Sequence, residues 1–221
     1  MVANNNNNDK ESIVNAFDDA IQKIRQEQEA YKNSRQWCRY GLPENINARE
    51  FLKTAFSGAT DSFWYHSEYD VLSDYLADNQ GKGLMLQGNI GTGKTMFVEF
   101  VYKPFLRVFH NKGLHSYTAE DLNNTEVAEE MCQMRQLFID DLGREKRAKS
   151  YGTELSYMDK IADNLEKKHS FLICTTNLST AELIERYGER AIDRMKAYMF
   201  WANFGGLTSQ RNKVISNNKR T

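Results

Sequence analysis

The most specific chemistry in this sequence lies in one short stretch. Gly88-Asn89-Ile90-Gly91-Thr92-Gly93-Lys94-Thr95 fits G-x-x-x-x-G-K-[ST] at every fixed position. Glycines at such positions let the backbone curl into a nest whose N–H groups point at phosphate oxygens. A helix starting at Lys94 adds its positive N-terminal end. Lys94 is then placed for the β- and γ-phosphates of ATP, and the Thr95 hydroxyl for Mg2+. The binding stretch is taken to run through Met96. A glycine-rich turn with an accidental lysine is the rival explanation. It is disfavoured by the apolar Leu84-Met85-Leu86 before the loop and the helical pattern after it.

Three further groups belong to the same chemistry. Leu137-Phe138-Ile139 delivers Asp140 and Asp141 at the end of an apolar run. In open α/β sheets ligands bind at that end of a strand. Asp140 is expected to hold Mg2+ through water, and Asp141 to polarise an attacking water. Phe171–Thr176 ends in Asn177, whose amide is a candidate partner for the γ-phosphate or the lytic water. Arg190 and Arg194 stand four apart, on one face of a helical turn. Surface ion pairs with Glu185, Glu189 or Asp193 would explain them. The functional alternative is an arginine finger reaching a neighbouring subunit's ATP.

The elements needed to position these groups are legible. From residue 84, short apolar runs alternate with helical patterns. Strands are expected at Leu84–Leu86, Leu114–Tyr117, Leu137–Ile139, Phe171–Cys174 and Phe200–Phe204, with helices near 94–109, 119–134 and 153–168. Strands spaced by helices imply right-handed crossovers and a parallel sheet sandwiched by helices. The first eighty residues read differently. Asn4–Asn8 is a polar run expected to be a disordered tail within 1–10. Ile13, Val14, Phe17, Ile21 and Ile24 mark one face of a helix over about 11–35. Gly41-Leu42-Pro43 breaks the pattern, and helices near 47–57 and 66–78 follow. Phe63, Trp64 and Tyr65 could stack on bases, though such a trio is more often core.

Composition limits the classes. With 221 residues, 40% hydrophobic and 27% charged, the chain has the material for a folded domain plus an appendage. No run nears the length and apolarity of a membrane span, so no membrane partner is expected. The net charge of −1 hides an asymmetry: residues 1–80 hold 8 basic against 13 acidic residues, net −5, and the remainder is net +4. Cys38, Cys132 and Cys174 are too scattered for a zinc site or disulfide framework. They fit reduced thiols in a cytoplasmic protein.

In this order and spacing the motifs resemble the AAA+ ATPases of the DnaC-type helicase loaders and the related IstB-type transposition ATPases. The resemblance is carried by Gly88–Thr95, Leu137–Gly143 (LFIDDLG), Thr175–Ser179 (TTNLS), Tyr187–Met195 (YGERAIDRM) and Phe200–Asn212 (FWANFGGLTSQRN). It covers about three-fifths of the chain, roughly residues 80–212. It implies an AAA+ P-loop NTPase fold over 61–212, a helical partner-binding extension over 11–60, no C-terminal lid, and a basic tail at 213–221. It implies Asn177 as sensor 1, Arg194 as a finger acting in trans and Arg190 as its companion. The partners implied are a hexameric replicative helicase, single-stranded DNA and further copies of the chain. Two positions depart from the family pattern. Asp141 stands where many AAA+ proteins carry Glu, and Ala162–Lys168 lacks an arginine that relatives usually have.

Other readings compete. A small-molecule kinase would share the P-loop but needs an acceptor site and an arginine-bearing lid. A GTPase would use Asp140-Asp141-Leu142-Gly143, yet no Asn-Lys-x-Asp for guanine appears. A nucleotide-regulated binding module without turnover is the non-enzymatic alternative. The basic loop Gly143–Lys149 and the tail residues Arg211, Lys213, Lys219 and Arg220 are candidates for phosphate contact.

Overall fold

The structure, a computed structural model, describes residues 17–27, 29–30, 38–59, 65–146 and 157–209. The chain divides into two compact units, 1–37 and 38–221. The first unit contributes a helix over 17–27 (α1), on which Phe17 and Ile24 are exposed. The expected tails at 1–10 and 213–221 lie outside the described residues, as do Phe63 and Trp64.

The division falls after Trp37, well before the boundary at 60 expected from the sequence. The reason is packing. Helix α2 (Ala48–Ala59) buries Leu52 and Phe56, with Phe56 against Tyr69 and Phe97, and Phe51 against Phe105 and Phe109. Cys38, Tyr40 and Leu42 are buried in the same unit. Residues 38–59 are therefore part of the main domain's core. A 3-10 turn (Ser67–Tyr69) and helix α3 (Asp70–Ala77) lead into the sheet.

Five strands form it: β1 (Gly83–Gln87), β2 (His115–Thr118), β3 (Gln136–Leu142), β4 (Phe171–Thr176) and β5 (Met199–Asn203). Their order is β2-β3-β4-β1-β5, and every pairing is parallel. β1 and β4 are buried throughout, as strands covered on both faces must be. β2 is a largely exposed edge. All five strands stand where the apolar runs placed them, within a residue or two except at the end of β3, which continues three residues beyond Ile139 to Leu142.

The helices account for the crossovers. α4 runs through Lys94–Met96, a π-helical stretch Phe97–Tyr102 and Lys103–His110. Pro104 has no N–H and crowds the carbonyl four residues back, so a widened turn just before it is the natural accommodation. The pattern expected over 119–134 resolves into a 3-10 turn (Ala119–Asn123) and α5 (Thr125–Met131). The break comes at Asn124, whose side chain accepts from the N–H groups of Glu126 and Val127 and so starts a new helix. α6 (Tyr157–Lys167), α7 (Thr180–Tyr187) and α8 (Glu189–Tyr198) complete the domain. Ser179 and Glu182 form a reciprocal capping box on α7.

Strand alternation separates two cores. One face gathers Met85, Leu137, Ile139, Leu172, Cys174 and Met199 against α5–α8. On the other, Phe171 meets Tyr102 and Tyr40, and Phe200 meets Tyr75. All three cysteines are buried thiols outside any disulfide, and Cys38 Sγ donates to the Gly81 carbonyl at 3.2 Å. Among the described residues no helix is long and apolar enough to cross a membrane.

Candidate functional site

The site forms where the tips of β1, β3 and β4 converge. β1 ends in the loop from Gly88, where φ is +150° and an added Cβ would come within 2.8 Å of the Phe204 backbone. Only glycine tolerates both the dihedral and that approach. The loop is braced from outside and within. The Tyr69 hydroxyl donates to the Thr92 carbonyl at 2.9 Å, Asn89 donates to the Gly205 carbonyl at 2.9 Å, and the Thr92 hydroxyl donates to the Asn89 carbonyl at 2.9 Å. Ile90 projects from the loop into solvent.

Lys94 is buried, and its ammonium donates to the carbonyls of Gly88 (2.7 Å) and Asn89 (2.9 Å) and to Asn177 Oδ1 (2.8 Å). The expected sensor thus touches the P-loop lysine directly. Thr95 Oγ1 donates to Asp140 Oδ1 at 2.8 Å. Both oxygens are hard ligands, and Mg2+ typically takes one or two protein oxygens while keeping waters and sharing phosphate oxygens. These two residues fit the ion. Among the described residues no group of three or more His, Cys, Asp or Glu side chains is arranged to hold a metal.

Asp141 departs from simple strand geometry. Its φ is +55°, in the left-handed region, and the β3–β4 register shifts between Ile139 and Leu142. This bulge turns the second carboxylate toward Asn177, whose Nδ2 lies 3.4 Å from Asp141 Oδ1. Thr175 fixes the arrangement. Its hydroxyl accepts the Asp141 N–H at 2.8 Å and donates to Asp140 Oδ1. In the sequence Thr175 is signalled only by a hydroxyl beside the tip of an otherwise apolar strand.

The loop after β3 ties the site to its surroundings. Arg144 Nη1 pairs with Asp141 Oδ2 at 2.9 Å. Glu145 is nearly buried. It accepts from Arg186 Nε at 2.7 Å, from the Tyr187 hydroxyl, and from the Gly143 N–H at 3.0 Å. Burial first, and then the Glu145 carboxylate, push the Tyr187 phenol far above its ordinary range. The strand tip that carries Asp141 is in this way tied to α7, which follows Asn177. Lys146 is exposed, and 147–149 lie outside the described residues, as do Arg211, Lys213, Lys219 and Arg220.

Arg190 and Arg194 both stand on α8, as expected, and the ion pairs of Arg194 run to a different helix. Arg194 Nε lies 3.2 Å from Asp163 and 3.1 Å from Glu166, both on α6. Lys167 first, and then Arg194, hold the Asp163 carboxyl below its usual value. Arg190 is exposed. The two arginines are therefore not grouped with the Lys94–Asn177–Asp141 cluster of this chain.

Strand order and site together define the class. A parallel β2-β3-β4-β1-β5 sheet has a P-loop after β1, an acidic pair at the tip of β3 and Asn177 at the tip of β4; this is the AAA+ P-loop NTPase fold. No protein-family model and no curated protein matches the sequence. Solved structures that resemble it include the DnaC helicase loader (17% identity, TM-score 0.46, covering 73% of this chain and 92% of that one). DnaI aligns at 16% identity and TM-score 0.46 over 73% of this chain and 87% of its own. AMPPCP-bound DnaA from Aquifex aeolicus aligns at 13% identity and TM-score 0.48 over 71% of this chain and 52% of its own. The class rests on the strand order and the site geometry, not on these likenesses.

Proposed function

We propose that this protein is an ATPase, converting ATP and water to ADP and phosphate, that acts in DNA replication in the manner of a DnaC-type helicase loader. The observation that carries the hydrolytic part is the contact series Lys94–Asn177–Asp141, beside the Thr95–Asp140 pair. Lys94 exchanges its three carbonyl oxygens for the β- and γ-phosphates. Mg2+ held by Thr95 and Asp140 would neutralise charge on the same oxygens. Asn177, released by Lys94, orients the γ-phosphate, and Asp141 polarises water in line with it. Positioning and charge neutralisation carry such a reaction without a covalent intermediate.

The loader role rests on the motif resemblance. In this reading 1–37 supplies the contact with a hexameric helicase, and α1 offers exposed Phe17 and Ile24 to it. Residues 38–59 pack Leu52 and Phe56 into the main domain and keep Glu44, Arg49, Glu50 and Thr54 exposed for such a contact. Copies of the chain assemble on single-stranded DNA, and Arg194 or Arg190 of one copy completes the ATP site of the next. Arg190 is the exposed one; Arg194 would first leave Asp163 and Glu166.

The test is the ATPase rate of the full chain, with and without single-stranded DNA, for wild type, Lys94→Ala, Arg190→Ala and Arg194→Ala. Lys94→Ala is expected to abolish turnover. A finger acting in trans predicts that mixing Lys94→Ala with the inactive arginine variant restores part of it. Equal rates in all proteins would end the hydrolytic reading. The full chain used as bait in host lysate separates the partners: a hexameric helicase supports loading, and a transposase moves the protein to the IstB-like reading.

A further inference from the structure

β1 is apolar until its last residue, Gln87, which is buried like the rest of the strand. A buried amide is costly unless its hydrogen bonds are met. Gln87 meets them on another element. Its Nε2 donates to the Leu178 carbonyl at 2.7 Å, and the Thr180 hydroxyl stands 3.4 Å from Nε2 and 3.5 Å from Oε1. The neighbour fixes which way the amide points: a carbonyl only accepts, so the nitrogen must face it. Leu178 lies in the turn that joins β4 to α7, and that turn begins at Asn177. Gln87 itself is followed by Gly88, where the phosphate loop starts. One side chain therefore spans the P-loop strand and the Asn177 turn, 91 residues apart in sequence.

Leu178 is held at further points. Its N–H donates to the Thr176 hydroxyl at 3.1 Å, which donates onward to the Leu142 carbonyl at 2.7 Å. Its side chain lies over Gly143, where an added Cβ would come within 2.4 Å of Leu178 Cδ1. Asn177 is treated differently. It is exposed, and its amide faces Lys94 at 2.8 Å and Asp141 at 3.4 Å. In the hydrolytic reading nucleotide takes Lys94, so the shorter of these contacts is given up when the site fills. An exposed side chain is not aimed by packing. The backbone of its turn must then aim it.

We infer that Gln87 is a positioning residue for Asn177: its hydrogen bond to the Leu178 carbonyl sets the turn that points the Asn177 amide at the γ-phosphate. This deepens the hydrolytic reading and rests on it. Gln87 acts through Leu178 and not on the nucleotide. Misplacing a reacting group by about 1 Å can cost on the order of 100-fold in rate, so a single buried hydrogen bond behind such a group has leverage.

The experiment measures steady-state ATP turnover of the full chain for wild type, Gln87→Leu, Gln87→Glu, Asn177→Ala and Gln87→Leu combined with Asn177→Ala. Lys94→Ala serves as the blank, and melting curves confirm folding. Gln87→Leu keeps most of the volume and removes the donor. It is expected to lower kcat roughly tenfold with KM for ATP unchanged, since the P-loop itself is intact. Gln87→Glu keeps the shape and sets a carboxylate against the Leu178 carbonyl, so its loss should be at least as large. In the Asn177→Ala background, Gln87→Leu should change kcat by less than about twofold, because the two residues act as one unit. A general loosening of the fold would lower kcat by the same factor in both backgrounds. That outcome, a raised KM, or wild-type kcat in either single Gln87 variant overturns the inference. If Asn177→Ala already sits at the blank, the kcat-against-KM split of the Gln87 variants decides alone. If wild type turns over no faster than Lys94→Ala, hydrolysis itself fails and the positioning role with it.

Discussion

The two faces of the sheet are built from different materials. On one side Phe56, Tyr69, Tyr75, Phe97, Tyr102, Phe105 and Phe204 form a continuous run of ring contacts, from α2 across α4 to the end of β5. On the other side Met131, Met158, Ile161, Leu165, Leu183, Ile192 and Met195 pack α5–α8 onto the strands. Large rings interlock in few arrangements, whereas methionine and leucine adapt to small shifts. The rigid side is the one that grips the P-loop, through Tyr69 on Thr92 and Phe204 against Gly88. The adaptable side carries α8 with Arg190 and Arg194. The difference places ring packing beside the P-loop and adaptable packing under α8.

The largest effect should come from breaking the stiff side. Phe105 is buried and contacts Phe51, Tyr102, Phe109 and His110. Phe105→Ala should cost about 3–5 kcal/mol of folding stability. On the adaptable side the buried Met195→Leu, which nearly conserves volume, should cost less than about 1.5 kcal/mol. Denaturant midpoints at matched slopes give both numbers. Equal losses would show that the chemical difference between the faces has no mechanical counterpart.

The second prediction concerns the seam that joins the adaptable side to the site. Arg186→Ala strands the Glu145 carboxylate with only the Gly143 N–H and the Tyr187 hydroxyl as donors. Breaking a buried pair by removing one partner typically costs about 3–5 kcal/mol, and the partial exposure here puts this loss near the lower end, about 3 kcal/mol. Turnover per folded molecule should fall as well, because the loop that sets Asp141 loses its anchor on α7. A stability loss with unaltered turnover would confine the Glu145 network to structure.

How much of this was legible beforehand depended on sequence distance. The P-loop, the acidic pair and Asn177 could be read because each is a local run, and their convergence follows from parallel strand order. β1 and β4 were readable because apolar runs of this kind are buried on both faces; the exposed edge β2 was placed by its position between two helical patterns. The limit of the P-loop domain was not: Leu52 and Phe56 carry the same helical spacing as Phe17, Ile21 and Ile24, and only the docking of α2 on Phe97 and Phe105 separates the two cases. The partners of Arg194 were hidden because Asp163 and Glu166 lie on another helix about thirty residues away. The Asp141–Arg144 pair is only three residues apart, yet it depends on a left-handed Asp141 that no spacing rule announces.

The smallest effect distinguishes the two faces by pH. His110 ends α4 on the aromatic side, with its ring 5.0 Å from Tyr40 and 5.1 Å from Phe105 and one nitrogen 3.1 Å from the Gly41 carbonyl. Burial lowers its pKa below the ordinary 6.5, only partly offset by the Gly41 contact. The folded state therefore resists protonation more than the unfolded chain does. As pH falls through 6.5 the unfolded chain gains protons first, so stability declines; the decline levels off below the folded-state value, where both states are charged. His110→Phe keeps a ring among these aromatics and removes the titration. Its stability, measured by denaturant midpoint at a series of mildly acidic pH values, should decline less than that of wild type over the same range. The difference is bounded by the linkage of one proton. Parallel curves for the two proteins would mean that the ring is as free to protonate in the fold as out of it, and that the aromatic face is looser at its α4 end than at the P-loop.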